Sequence, residues 1–449
     1  MGTVLNDSDR GRRLLVTGGR VWRESGALLA DVLIEGGRVA AVEGGLKPRD
    51  GDEVIDASGL DVFPGFLDIH VHAGDRIGPY ELADSWASAA QLALRNGITT
   101  LFGFVTQRPG ETLTEALHRC RARSAGAACE VRFHLTPTRW PWDWSEIETL
   151  MGDGFRTFKL YTTYRDAGLF TPYDRLAEAM GQLAPRGGRV LVHCEDEATL
   201  AEAARCAVNF RDPFSHALLR PPAAEVAAVQ RVVDLAHRTG CPTHVVHVST
   251  AEGASVVAAA RAAGAPVSCE TAPHYLLLSD DCLRHGDGHR FLCTPPLRGE
   301  AVREALVEQV LAGAVDCLAT DHCPFRRDDK DAGHGDIRAV PNGLPGVGAL
   351  VPLTFEALVM RYGMPVARWA AALTCAPARV VGLDGELGVV QPGARGDLVL
   401  LARTGPPQPV QASLADVYDP YRGASTSVSV RWVIREGRVV LRPGARHAP

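Results

Sequence analysis

Eight apolar or β-branched runs alternate with stretches of helical character through the middle of this 449-residue chain, and that alternation restricts the fold more than any other feature. The runs cover residues 62–72, 99–105, 130–136, 155–163, 189–195, 243–249, 266–274 and 316–324. Continuous apolar runs suit strands buried on both faces, as in parallel sheets covered by helices. Eight β/α units in succession predict an α/β fold of the (β/α)8 TIM-barrel type. Helix signals fall between the runs. Ser145 with Glu148 makes a capping box, while Thr171, Pro172 and Asp174 supply an N-cap, a proline at the first helical position and an acidic third residue. The helix that follows places Leu176, Met180, Leu183 and Ala184 on one side.

Short β-rich pieces separated by glycines occupy residues 1–61, with Gly36-Gly37 as a hairpin signal, and the same texture returns over residues 385–449. The expected organisation is a small β-sandwich domain built from both chain termini around a barrel spanning 62–384. A hydrophobic content of 46% with 22% charged residues is ample for a large core. The net charge of −6, without a Lys/Arg cluster, implies neither nucleic acid nor an anionic membrane as partner, so a small molecule is expected. No run of about 18 uncharged apolar residues occurs, which predicts no transmembrane helix. The first residues carry no secretory leader pattern, and Asn6 stands where a myristoylation signal needs Ser or Thr, so a cytoplasmic location is expected. The 11 cysteines include no C-x-x-C pair, against both a disulfide framework and a thiolate zinc site.

Reactive side chains of such barrels sit at the C-terminal ends of the strands. His70 and His72 end the first run, Lys159 lies in the fourth, His193 ends the fifth, His247 ends the sixth and Asp321 follows the eighth. Alternate residues of a strand share a face, so His70 and His72 can chelate one ion. Four histidines and an aspartate at one rim have the composition of a site for a borderline divalent ion such as zinc. Lys159 is out of place in an apolar strand, because lysine is rarely buried without a partner. Carbamylation by carbon dioxide would replace its charge with a carboxylate able to bridge two ions. Burial beside cations supplies the neutral amine this reaction needs. Taken alone, Lys159 also suits a side chain that snorkels to the rim or pairs with an acid.

Together PGFLDIHVH, FKLYTTY, VHCEDE, VVHVST and ATDHCPF resemble the amidohydrolase superfamily. Within it the resemblance is to the cyclic amidohydrolases: dihydropyrimidinases and hydantoinases, with allantoinases and dihydroorotases as cousins. The resemblance covers nearly the whole chain. It implies two divalent metal ions, expected to be Zn2+. His70, His72, carbamylated Lys159 and Asp321 would hold the more buried one, and Lys159, His193 and His247 the other, with a hydroxide between them. Asp321 would take the proton of that hydroxide and deliver it to the leaving nitrogen. Tyr164, five residues past Lys159, matches the tyrosine whose hydroxyl meets the oxyanion. The backbone at Thr294 and Asn342 matches positions that hydrogen-bond the imide ring, whose CO–NH–CO group presents acceptor, donor and acceptor. The resemblance also implies a homotetramer. It places the sixth-strand ligand at His247, and strand alternation then puts His244 on the opposite face, against a helix or at the surface.

FVTQRPGETLTEAL, FSHALLRPPAAEVAAV, DHCPF and CTPPLR resemble the hydantoinase branch. Dihydroorotases carry an arginine, and allantoinases usually an asparagine, two residues after the second metal histidine; here that residue is Gly74, with Arg76 as a possible substitute. His274 departs the other way, being commoner in the two cousins. GDRIGPYELAD and YRDAGLF are expected to shape the pocket for the ring substituent. Trp140, Trp142 and Trp144 are expected to close the barrel rim, or else to line its mouth or a subunit contact, and His322 and Cys323 to pack beside Asp321. The expected reaction opens a dihydropyrimidine or 5-substituted hydantoin ring to the N-carbamoyl amino acid. The alternatives are allantoinase or dihydroorotase activity, and a non-enzymatic dihydropyrimidinase-like interaction protein of the collapsin response mediator type. Those proteins have lost metal ligands, whereas all six ligand positions are filled here.

Overall fold

The computed structural model describes residues 12–444; the N-terminal residues read for a leader, including Asn6, lie outside them. Eight parallel strands form the barrel: β1 (Phe66–Asp68), β2 (Ile98–Thr106), β3 (Glu130–Thr136), β4 (Thr157–Tyr161), β5 (Arg189–His193), β6 (Thr243–Val245), β7 (Val267–Thr271) and β8 (Cys317–Leu318). They pair in chain order. The covering helices are α1 (Trp86–Arg95), α2 (Leu113–Ser124), α3 (Trp144–Gly152), α4 (Tyr173–Leu183), α5 (Pro222–Thr239), α6 (Ala251–Ala262), α7 (Glu300–Ala312) and α8 (Val366–Leu373). All eight predicted runs thus contribute a barrel strand.

The barrel closes between β8 and β1 through few bonds. Val71 and His322 form a parallel bridge, in which His72 N donates to His322 O at 2.7 Å. Thr320 donates from N and Oγ1 to the Asp68 carboxylate at 3.1 and 2.6 Å. This seam brings the loop carrying His70 and His72 against the loop carrying Asp321.

The first run, expected as one strand, is two. Asp61–Pro64 pairs antiparallel with Leu398–Ala402 in the small sheet, and β1 resumes after Gly65 in the barrel. A Cβ at Gly65 would lie 2.2 Å from Thr99 Oγ1, so the crossing between sheets needs glycine there.

The second sheet is built from both ends of the chain. Arg13–Arg23 pairs with Gly26–Glu35 along one edge and with Glu53–Asp56 and Asp61–Pro64 along the other. Arg38–Glu43, Leu398–Ala402, Ser429–Arg435 and Arg438–Leu441 complete it. The Gly36-Gly37 hairpin forms as expected, both residues at positive φ. The sheet has its own apolar core, including Val16, Val32, Leu398 and Ile434. Arg395 ties it to the barrel by pairing with Asp397 and with Glu130 at the start of β3.

Two helix starts differ from expectation. Asp143 rather than Ser145 caps α3, accepting from Glu146 N, while Glu148 pairs with Arg186 at 2.9 Å. Pro172 rather than Thr171 is the N-cap of α4, whose buried face is Leu176, Ala179, Met180 and Leu183. Ala184 begins a short 3-10 turn instead. No described helix is long and apolar enough to cross a membrane.

Candidate active site

Three residues at the C-terminal rim of the barrel have backbone φ angles in the left-handed region: Tyr164 at 67°, His247 at 39° and Asp321 at 48°. Non-glycine residues seldom adopt this conformation, which costs on the order of 1 kcal/mol each and tends to collect at functional sites. The strained turn at His247 also ends the strand alternation. β6 ends at Val245, so strand alternation no longer relates His244 to His247. His244 does not face a helix or solvent; its Nε2 donates to Glu270 Oε2 at 3.1 Å and its Nδ1 accepts from Ser268 Oγ at 2.8 Å.

His70, His72 and Asp321 offer ligand atoms that all lie within 4.8 Å of one another. Asp321 Oδ1 is 3.2 Å from His70 Nε2 and 3.5 Å from His72 Nε2. The His193 and His247 rings are 4.5 Å apart between centroids, and His247 is 5.3 Å from His70. Among them lies Lys159, only 1% exposed. Its Nζ has no hydrogen-bond partner and stands 5.3 and 5.2 Å from the Phe104 and Tyr161 ring centres. The amine neither snorkels to solvent nor pairs with an acid among the described residues. Burial lowers its pKa to about 8 against the opposing pull of Glu270 and Asp321. His247 Nδ1 is likewise buried without a partner. Buried polar atoms are normally satisfied, so these orphaned nitrogens within a donor set of histidines and a carboxylate fit a metal centre.

The charges suit ligation. Burial, reinforced by the Lys159 ammonium, lowers the pKa of His70 to about 4. Burial also lowers His193, against Glu195, and pushes His247 well down with the help of His193. The imidazoles are therefore neutral, the form that binds metal. Burial alone would raise Asp321, yet His70 and His72 hold it at about 2.

Two carboxylates absent from the sequence reading orient these rings. Glu270 Oε1 accepts from His70 Nδ1 at 2.5 Å, and Glu195 Oε2 accepts from His193 Nε2 at 2.7 Å. Each bond engages one ring nitrogen and leaves the other for a ligand. Arg220 forks Glu195 at 3.1 and 2.7 Å and sits 5.4 Å from the Tyr164 ring centre. Although burial opposes ionisation, Arg220 and His193 keep Glu195 far below the usual carboxylate range, and His70 and His244 do so for Glu270. A signal existed for both: Glu270 interrupts an apolar run as Lys159 does, and Glu195 stands two residues after His193.

Tyr164 lies 5.0 Å from His193 between ring centres, and the Thr294 hydroxyl is buried without a hydrogen-bond partner. Burial raises the Tyr164 pKa well above the usual phenol value, so its hydroxyl remains a donor. Thr294 is buried and Asn342 exposed. His322 packs beside Asp321 as expected: its Nδ1 accepts from Gly346 N at 3.0 Å, and its Nε2 is 3.2 Å from Asp84. Cys323 is buried there too. His274 is buried 4.1 Å from the Tyr275 ring with neither ring nitrogen partnered. The tryptophans meet one another edge-on or tilted, and Trp142 stacks on Phe158 of β4 at 5.9 Å. Arg76 turns to Pro79 O and Glu81 in an exposed hairpin. At Gly74 a Cβ would lie 2.5 Å from Trp86 Cδ1, and φ is 61°, so the fold itself excludes a side chain there.

The amidohydrolase family model matches residues 62–440. A D-hydantoinase of Streptomyces coelicolor is 32% identical over 447 residues, covering 96% of this chain and 94% of that one. A D-phenylhydantoinase of Escherichia coli is 32% identical over 441 residues, covering 96% and 95%. The crystal structure of dihydropyrimidinase from Brevibacillus agri superposes with a TM-score of 0.90 at 28% identity, over 96% of this chain and 95% of that one.

Proposed function

The chain belongs to the amidohydrolase family, and we propose that it opens dihydropyrimidine or 5-substituted hydantoin rings to N-carbamoyl amino acids. The observation that carries this reading is the buried, unpartnered Lys159 amine set among histidines and Asp321. His70, His72, Lys159 and Asp321 would hold one divalent ion, and Lys159, His193 and His247 a second, with zinc the expected metal. Lys159 would first take up carbon dioxide. Its neutral amine would form an N–C bond to the carbon dioxide carbon and release a proton to solvent, and the resulting carbamate would supply the anionic ligand shared by the two sites.

When bound, the ions make a water acidic near neutral pH and polarise the substrate carbonyl. Asp321, ionised at the outset, accepts the proton of the attacking water on a carboxylate oxygen and passes it to the leaving ring nitrogen. The Tyr164 hydroxyl donates to the carbonyl oxygen as that oxygen gains charge. The backbone at Thr294 and Asn342 reads the CO–NH–CO edge of the ring. The exclusion of any side chain at Gly74 leaves no cation there for a ring carboxylate, which favours neutral rings over dihydroorotate. The same family resemblance supports a homotetramer.

Hydrolysis of dihydrouracil should disappear on treatment with a chelator and return when zinc is restored. Hydrolysis that survives complete metal removal would overturn the reading.

A further inference from the structure

Thr294 lies in a segment whose carbonyls are taken up in turn by buried side chains. Leu292 O accepts from Lys330 Nζ at 2.9 Å and from Gly343 N at 2.9 Å. Cys293 O accepts from His216 Nε2 at 2.8 Å. Pro295 O accepts from Tyr275 Oη at 2.6 Å. The Thr294 carbonyl between them has no partner among the described residues. The carbonyls of Pro296 and Leu297 further on are also without a partner among the described residues, but Thr294 is the one at a position matched to the imide ring, and its two flanking carbonyls are held in place.

Lys330 is the least expected member of this set. It is 2% exposed, and Leu292 O is the sole acceptor of its amine, with no carboxylate partner among the described residues. An apolar side chain of that length would avoid the cost of burying an amine, so stability alone gives no reason for lysine. Burial lowers its pKa to about 8. Its helix, Arg327–Ala332, is fixed by the next residue: Asp331 accepts two bonds from Arg290, both 2.7 Å, and one from His289 at 2.9 Å. The second donor to Leu292 O is equally constrained. Gly343 has φ of 155°, and a Cβ there would lie 2.5 Å from Cys323 O. One carbonyl therefore joins the segment of Thr294 to the segment of Asn342, and Lys330 holds that carbonyl from behind.

We propose that Lys330 is a positioning residue for substrate recognition: by holding the Leu292 carbonyl it sets the Thr294 carbonyl and the Asn342 backbone at the spacing that a cyclic imide requires. The inference rests on the ring-opening reading given above. The imide N–H is the donor that the Thr294 carbonyl accepts, so loss of register weakens recognition of that N–H above all. General disorder of the site would instead weaken every ring ligand alike.

The test uses the metal-loaded protein and two competitors of dihydrouracil hydrolysis, succinimide and N-methylsuccinimide, which differ at the imide nitrogen. In the wild type, methylation should raise the inhibition constant about tenfold, the worth of one well-placed hydrogen bond. In Lys330→Met the ratio should fall to about two, with KM raised, bound metal unchanged and kcat little altered. Lys330→Arg keeps an N–H donor and should retain most of the ratio. If Lys330→Met does not fold, Lys330→Gln, whose amide is too short to reach, should show the same collapse. An unchanged ratio in a folded, active Met or Gln variant overturns the inference and leaves the reaction standing. A metal-loaded wild type that hydrolyses no cyclic imide removes both.

Discussion

Glu270 joins His70 to His244: one carboxylate oxygen accepts from His70 Nδ1 at 2.5 Å, the other from His244 Nε2 at 3.1 Å. The carboxylate thereby fixes His70 with Nε2 toward Asp321, 3.2 Å away. Removing a partner of this kind typically lowers metal affinity about 10- to 100-fold. Glu270→Gln should therefore lose metal to a chelator at correspondingly lower concentrations than the wild type. Equal metal retention by the two proteins would show that His70 needs no such support.

Lys159→Ala should lose measurable hydrolysis and hold less metal, because both proposed ion sites share this residue. A short carboxylic acid added to the variant should restore part of both. Intact-mass measurement of the wild type should show the mass of one added carbon dioxide, released by acid. An unmodified Lys159 in an active, fully metallated enzyme would falsify the bridging role.

Tyr164→Phe removes a donor without changing the ring beside His193. Loss of one donor to a developing oxyanion commonly costs about 100-fold in kcat. Steady-state kinetics should show that fall with metal content intact; an unchanged kcat would place Tyr164 outside the reaction.

The barrel was legible because all eight apolar runs become strands, and the six proposed ligands fall at one rim of it. What failed depended on where strands stop. The run over 62–72 is apolar on both sides of Pro64-Gly65, and that dipeptide is where it divides between two sheets. Strand alternation gives His244 the wrong face because β6 ends at Val245, which no local residue pattern announces. Glu270 is marked as an acid in an apolar run, but its partner His70 is 200 residues distant in sequence, and only the closed barrel joins them.

Acid should destabilise the fold through histidines outside the proposed ligand set. His134 is lowered to about 3 and His216 to about 4, chiefly by burial. In the unfolded chain both titrate near the ordinary value of about 6.5. Between those values the unfolded chain binds protons that the folded chain refuses, so stability falls as pH falls. The slope is about 1.4 kcal/mol per pH unit for each histidine. Denaturant titrations of chelator-treated protein should show His134→Gln flattening the slope by about that amount between about pH 6 and about pH 4.5. A slope equal to that of the wild type would contradict a neutral, buried His134.

On this reading the site opens neutral imide rings. The most direct test is the initial rate of ring opening by one metal-loaded preparation on dihydrouracil, a 5-substituted hydantoin, allantoin and dihydroorotate. The expected result is conversion of the first two to their N-carbamoyl products, with dihydroorotate the poorest substrate. Activity confined to allantoin and dihydroorotate, or no hydrolysis of any ring by fully metallated protein, would contradict it.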